Sequence, residues 1–241
     1  MRATRAVTSL AVLTVVLAGC TAQDDPEETP AATTPQTDTP EPEPTTEAPD
    51  PEPTEAPAAT PTDLPADVLP TTSGLAVEAE PREEADEVTA WRLMCSDPVP
   101  EAATAMRTVS WGTGELEAPV AVHQVAVFAD ADQAVAAADD LVAAMQECAD
   151  APAEAATTYL LEPVEVGAQG HGLASDYYGT AEGGDLDGVI GTYLATFRRG
   201  NAVALVASEG GEGNVAEVRE AVLAESMAAW EGLCRYESAG C

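Results

Sequence analysis

Between Thr21 and Pro70 the sequence holds thirteen prolines, eleven threonines and thirteen acidic residues, and no lysine, arginine or aromatic residue. A segment without large apolar side chains buries too little surface to offset the entropy of an ordered backbone. Proline at this density removes amide donors and holds φ near the polyproline value. Residues 20–70 therefore read as a disordered acidic tether, kept extended by like charges, with a reach of at most about 150 Å at roughly 3.1 Å per residue. Its Thr-Pro content also fits O-glycosylated stalks in composition. Folding is confined to the residues after Pro70. All ten aromatic residues lie between Trp91 and Tyr236. The 171 residues from Thr71 to Cys241 suffice for one core, so 71–241 reads as a single domain.

The segment before the tether is an address. Arg2 and Arg5 stand before the apolar run Ala6 to Val16, which ends in Leu17-Ala18-Gly19-Cys20. Charged, apolar and small segments in that order read as a secretory signal peptide over 1–19. The run is far shorter than the roughly 20 residues of a bilayer-spanning helix. Leu17 to Cys20 looks like a bacterial lipobox. That likeness implies cleavage before Cys20 and a diacylglyceryl (palmitate-bearing) anchor on its thiol. The expected location is the outer, extracytoplasmic face of the cell membrane, touched through the lipid anchor only.

Charge removes one large class of function. The chain carries 43 acidic and nine basic residues, a formal −34, and every basic residue is arginine. The domain keeps 30 acids and seven arginines. Such a surface repels phosphate backbones, so no nucleic-acid partner is expected. A solvated acidic surface is the expected reason for the excess, and a cationic ligand or partner is permitted.

Apart from Cys20, the cysteines are Cys95, Cys148, Cys234 and Cys241. In an oxidising compartment an even set predicts two disulfides, and four cysteines allow three pairings that sequence alone does not select. The pairing that best suits the expected elements is Cys95–Cys148 with Cys234–Cys241. No C-x-x-C spacing occurs, and neither His123 nor His171 lies near a cysteine, so no metal and no cofactor is expected.

The domain reads as an alternation of strands and helices. Val88 to Met94 is expected as a first strand and Glu101 to Arg107 as a short helix, with Thr108 to Trp111 as a strand end. Val120 to Phe128 is apolar on both faces, the mark of a central strand. Asp130 N-caps a helix to about Cys148, with Val135, Ala138, Val142, Met145 and Ala149 on its apolar stripe beside Leu141 and Cys148. Tyr159–Val166, Leu173–Tyr178, Val189–Phe197 and Ala202–Ala207 are expected strands, the last two joined at Arg198-Arg199-Gly200-Asn201. Glu209 to Asn214 reads as a loop ending in the N-cap of a final helix to about Cys234. The fold class is α+β: a twisted antiparallel sheet with two main helices packed on one face.

Two stretches carry a resemblance. His123-Gln124-Val125-Ala126-Val127-Phe128 with the helix to Cys148, and Phe197 through Val206 before the last helix, resemble the PknH-like extracellular sensor domain of actinobacteria over roughly residues 90–234. The likeness implies an antiparallel sheet with helices, two disulfides and a cleft for an unidentified ligand. Cys148 matches the cysteine that closes the family's first main helix, and Arg199-Gly200-Asn201 its late hairpin turn. A departure stands at Met145-Gln146-Glu147, where family members often carry a tryptophan.

Chemistry is sparse. His171, Ser175 and Asp176 are close in sequence but lack a nucleophile elbow or other triad context. Asp185-Leu186-Asp187-Gly188 does not have EF-hand spacing and reads as an acidic turn. His123 reads as a satisfied core or rim residue. Trp91, Trp111, Tyr177 and Tyr178 are the candidate cleft-lining residues, with core packing as their other role. No catalytic residue is assigned. The expectation is a non-enzymatic, sensor-like lipoprotein binding a small ligand or an envelope protein. The alternatives are a cell-wall or polysaccharide hydrolase on the same tether, and a partner-binding accessory protein with a flat apolar patch.

Overall fold

A computed structural model of the chain describes residues 59–76, 81–115, 118–152, 156–181 and 183–239. The signal segment, Cys20, the tether up to Ala58 and Cys241 lie outside the described residues. The strands are β1 (Arg82–Ala85), β2 (Ala105–Trp111), β3 (Val120–Val127), β4 (Thr158–Pro163), β5 (Ala168–Asp176), β6 (Ile190–Arg199) and β7 (Ala202–Asn214). Helix α1 (Ala131–Asp150) follows β3 and helix α2 (Val215–Gly232) follows β7. All seven strands join one antiparallel sheet in the order β1-β2-β3-β7-β6-β5-β4. Two meanders, β1–β3 and β4–β7, meet where β3 pairs with β7, and α1 carries the chain from the centre of the sheet to its far edge.

The α+β class is as expected; the placement of the helices is not. They cover opposite faces. Ala202, Ala204 and Val206 of β7 share a core with Val215 and Val222 of α2, together with Ala121 and Val125 of β3 and Phe197 of β6. Val203, Leu205 and Ala207 point the other way and pack with Ala134, Ala138, Leu141, Met145 and Cys148 of α1. Period-2 alternation forces this split, since neighbouring residues of a strand face opposite sides. A central sheet apolar on both sides needs cover on both sides.

Other expectations shift in detail. Val88 to Met94 is not a strand, yet Trp91 and Leu93 are buried. The acidic stretch before it supplies the edge strand β1 instead. Glu101 to Arg107 is a turn running into β2, not a helix. Of the expected α1 set Ala138, Leu141, Met145 and Cys148 are buried, Val135, Val142 and Ala149 are half-buried, and Ala134 joins the buried stripe. Asp130 does cap α1, accepting from the Gln133 amide at 2.8 Å. Asn214 caps α2 through the amides of Ala216 and Glu217. β7 continues through the stretch read as a loop as far as Asn214. There Glu209 to Glu212 bulge between Ser208 and Gly213, opposite the single residue Thr192 of β6.

The packed part begins before Thr71. Leu64, Val68 and Leu69 are buried on the α2 face, with a short 3-10 turn at Ala66–Val68 between them. This N-terminal strap is tied to the far end of the chain. Tyr236 donates its hydroxyl to the Asp63 carbonyl at 2.9 Å, and Asn201 Nδ2 donates to Pro61 and Phe128 carbonyls at 2.8 and 2.7 Å. Gly200 turns the β6–β7 hairpin at φ 55°, in a two-residue loop between Arg199 and Ala202. A Cβ there would stand 1.7 Å from the Tyr236 carbonyl oxygen, so the close approach also demands glycine.

Among the described residues one disulfide is formed, Cys95–Cys148, across 53 positions of sequence. Cys234 is also disulfide-bonded, and the expected partner, Cys241, lies outside the described residues.

Candidate functional site

The segment from Trp91 to Glu101 has no ladder of its own, so its backbone needs other partners. A buried glutamine supplies them. Gln124 of β3 accepts from the Arg92 amide at 2.7 Å and donates from Nε2 to the Ala90 carbonyl and the Thr108 hydroxyl, both at 3.1 Å. The Trp91 amide donates to the Pro98 carbonyl at 2.8 Å, closing the segment on itself. Cys95 then fastens it to the last turn of α1 through Cys148. The result is a rigidly held loop on the α1 face, and cavities open on more than one side of it.

Trp91 forms part of the wall of an apolar cavity of about 380 Å³ between the loop and α1. Phe128, Pro98, Val99, Pro100 and Leu141 continue the wall, with Glu101 and Asp140 as its acids. On the other side Arg92 and Asp97 face the ends of β5, β6 and β7 across a second cavity, also about 380 Å³. Here the lining is polar: Ser175, Tyr177, Thr192 and Glu209. Arg92 pairs with Glu209. Burial pushes the Glu209 carboxyl above its ordinary value, the Arg92 charge and hydrogen bond oppose that, and Asp97 adds to it. A third cavity, about 540 Å³, lies along the disulfide itself and is lined by Met94, Cys95, Ser96 and Tyr159.

The four aromatic residues picked out from sequence are not gathered into one cleft. Trp91 packs on the α1 face and Trp111 on the α2 face, both almost wholly buried. Trp111 stands edge-on to His123, ring centroids 5.5 Å apart. Tyr177 lines the polar cavity. Tyr178 is 55% exposed and donates to Glu212 at 3.1 Å. Trp91 and Tyr177 therefore touch cavities beside one loop; Trp111 belongs to the opposite core. Arg92, Asp97 and Glu209 were missed. The first two fall in what reads as a strand and its terminator, and Glu209 in what reads as a solvated glycine loop.

The histidines and the nearby serines do not form a triad. His123 is buried and its Nε2 donates to Glu225 of α2 at 2.8 Å. Ser73 donates to that same carboxylate, not to the imidazole, so the proton path of a nucleophile is missing there. His171 Nδ1 meets its neighbour Gln169's carbonyl. Asp176 caps the turn after β5 through the amides of Tyr178 and Ala181. Asp185 accepts from the Asp187 amide in an Asx turn. Among the described residues no group of three or more His, Cys, Asp or Glu side chains is placed to hold a metal ion. No helix among them is long and apolar enough to cross a membrane.

The fold is thus an antiparallel sheet sandwiched between two helices, with a disulfide-pinned loop that borders its cavities. No family model matches the chain, and no curated protein matches it. Among solved structures it is similar to the extracellular domain of PknH from Mycobacterium tuberculosis, at 16% identity and a TM-score of 0.38. The alignment covers 54% of this chain and 66% of that domain, so the chain spans just under two thirds of its length.

Proposed function

We propose that the chain is a lipid-anchored protein of the outer face of a bacterial membrane. Its folded domain binds a small ligand or an envelope partner through the loop Trp91 to Glu101, without catalysing a reaction on it. The observation that carries this reading is the Cys95–Cys148 bridge at that loop. A disulfide suits an oxidising, extracytoplasmic compartment. Its position holds an irregular segment that borders both the apolar and the polar cavity. Rigid positioning of a loop by a scaffold is the usual arrangement for recognition. The signal and lipobox residues up to Cys20 supply the anchor in this reading, and Cys234–Cys241 a second bridge.

Two measurements test it. Cys20→Ala is expected to move the protein from the membrane fraction to the medium; unchanged retention rejects the anchor. Thermal-shift screening of the full-length protein against wall fragments, lipids and cations is expected to give a ligand that raises the midpoint, because binding to the folded state alone must do so. Val99→Asp or Tyr177→Ala is expected to remove that shift.

One observation favours a second reading, hydrolysis of a polysaccharide. Asp97 and Glu209 line the same polar cavity and their charges interact, with the Glu209 carboxyl pushed up. Paired carboxyls with separated acidities are the usual equipment of glycoside hydrolysis. Release of reducing ends from a neutral oligosaccharide, abolished by Glu209→Gln, distinguishes the two.

A further inference from the structure

The polar cavity defines the chemistry of what it can hold. Its charged groups are Arg92, Asp97 and Glu209, and Arg92 is already paired with Glu209. Asp97 thus leaves the cavity net negative, within a chain of formal charge −34. Phosphorylated, sulfated and carboxylated ligands are repelled. A bare metal ion finds only two carboxylates, one of them engaged by the guanidinium. A purely apolar ligand would strand the Tyr177 hydroxyl and the carboxylates against hydrocarbon, at the cost of their hydration.

Among uncharged ligands, the lining suits one dense in hydroxyl groups. Carboxylates accept from hydroxyls in short, charge-assisted hydrogen bonds. The Arg92 guanidinium donates in return, the Ser175 hydroxyl donates or accepts, and the Thr192 hydroxyl, which donates to the Met94 sulfur, accepts. Tyr177 brings to the lining an aromatic ring, the kind of group against which a pyranose packs. The volume, about 380 Å³, lies in the range of small-molecule sites and is open to solvent on one side. The fold also marks this place. The bulge Glu209 to Glu212 breaks the β6–β7 register directly opposite Thr192, and Glu209 and Thr192 both line the cavity. Bulges are over-represented beside functional sites because they re-aim side chains there.

We propose that this cavity, bounded by Arg92, Asp97, Ser175, Tyr177, Thr192 and Glu209, is a subsite for a neutral saccharide, one or two units of a longer glycan. The proposal rests on the reading of Trp91 to Glu101 as the recognition loop and adds the ligand class to it.

The test uses the full-length protein and three probe classes: neutral trisaccharides (tri-N-acetylglucosamine, mannotriose, maltotriose), the anionic trigalacturonate, and the apolar dye N-phenylnaphthylamine. Calorimetric titration is expected to show binding of at least one neutral trisaccharide. Trigalacturonate is expected to bind at least about tenfold more weakly. Asp97→Asn and Tyr177→Ala are each expected to weaken the neutral sugar about tenfold or more, with the sugar-free melting midpoint unchanged. Cleavage of the bound sugar supports the subsite and shifts its role to the hydrolytic reading. Sugar binding that ignores both substitutions overturns the placement. If no neutral sugar binds while the dye does, and Val99→Asp removes the dye, the saccharide assignment falls and the loop reading stands. If neither probe class binds, both fall.

Discussion

His123 on β3 and Glu225 on α2 meet at 2.8 Å across the core, and the same carboxylate receives the Ser73 hydroxyl and the Gly74 amide from the N-terminal strap. One side chain therefore joins the sheet, the second helix and the N-terminal strap. The strap is also held at Pro61, Thr62, Asp63 and Leu64 by Asn201, Thr104, Tyr236 and Arg107.

Glu225→Ala should loosen the strap first. The buried Nε2–H of His123 loses its acceptor, and the Ser73 and Gly74 donors lose theirs. Leaving a buried donor unpaired costs about 1–3 kcal/mol. The expected outcome is a lower urea midpoint at unchanged m-value, with faster hydrogen exchange at the Gly74 amide. Exchange at Gly74 equal to the wild type would show that Glu225 does not hold the strap.

The same residue gives an acid limb. Burial works to raise the Glu225 carboxyl, but donation from His123, Ser73 and Gly74 outweighs it and holds the group below its ordinary value. A folded-state value below the unfolded one contributes stability above the unfolded value, near pH 4.3, and loses it as pH falls through the folded value. Glu209 has the opposite sign. Its raised carboxyl takes up a proton more readily when folded, so its contribution falls as pH rises from the unfolded value through the folded one. In urea titrations from neutral pH to about pH 3, Glu225→Gln should flatten the acid loss and Glu209→Gln should steepen it. Identical pH profiles for both variants and the wild type would reject the assignment.

Gly172 of β5 lies against the fully buried ring of Tyr193 on β6. A Cβ there would stand 1.8 Å from the phenol oxygen and 2.5 Å from the carbon that bears it. The ring has little freedom to yield, because its hydroxyl donates to Glu162, which also pairs with Arg219. Gly172→Ala should cost about 1–3 kcal/mol by overpacking. Tyr193→Phe removes the nearest clashing atom, so the double variant should be more stable than the sum of the single losses implies. Strict additivity in a thermal double-mutant cycle would count against this contact.

How far the fold was legible depends on where its determinants lie. Asp130 and Asn214 announce their helices because a cap is a local event, set by a side chain two or three residues from the amide it receives. β3 announced itself as central because both its faces are apolar. The same fact required helices on both sides, and placing them on one face neglected it. Trp91 reads onto a strand that does not form, because its segment is held by Gln124, 32 positions beyond Arg92, and not by any pattern of its own. The candidate site was the least legible part. Arg92 and Glu209 are 117 residues apart, and glycines that usually punctuate a loop sit here inside a bulged strand.

The Cys95–Cys148 bridge should separate global from local stability. Replacing both cysteines by serine opens a covalent loop that spans 53 positions, and loss of a native bridge typically costs about 2–5 kcal/mol. The Gln124 clamp and the buried Trp91 ring remain, so the sheet should stay folded with a lower thermal midpoint. Within it, the Trp91 amide on Pro98 and the Arg92 amide on Gln124 should lose hydrogen-exchange protection more than the amides of β3 and β7 do. A reductant should reproduce the loss in the wild type and add little at these amides in the double variant. Uniform loss of protection across the sheet would mean the bridge serves the whole domain, and that the loop beside the cavities gains no particular rigidity from it.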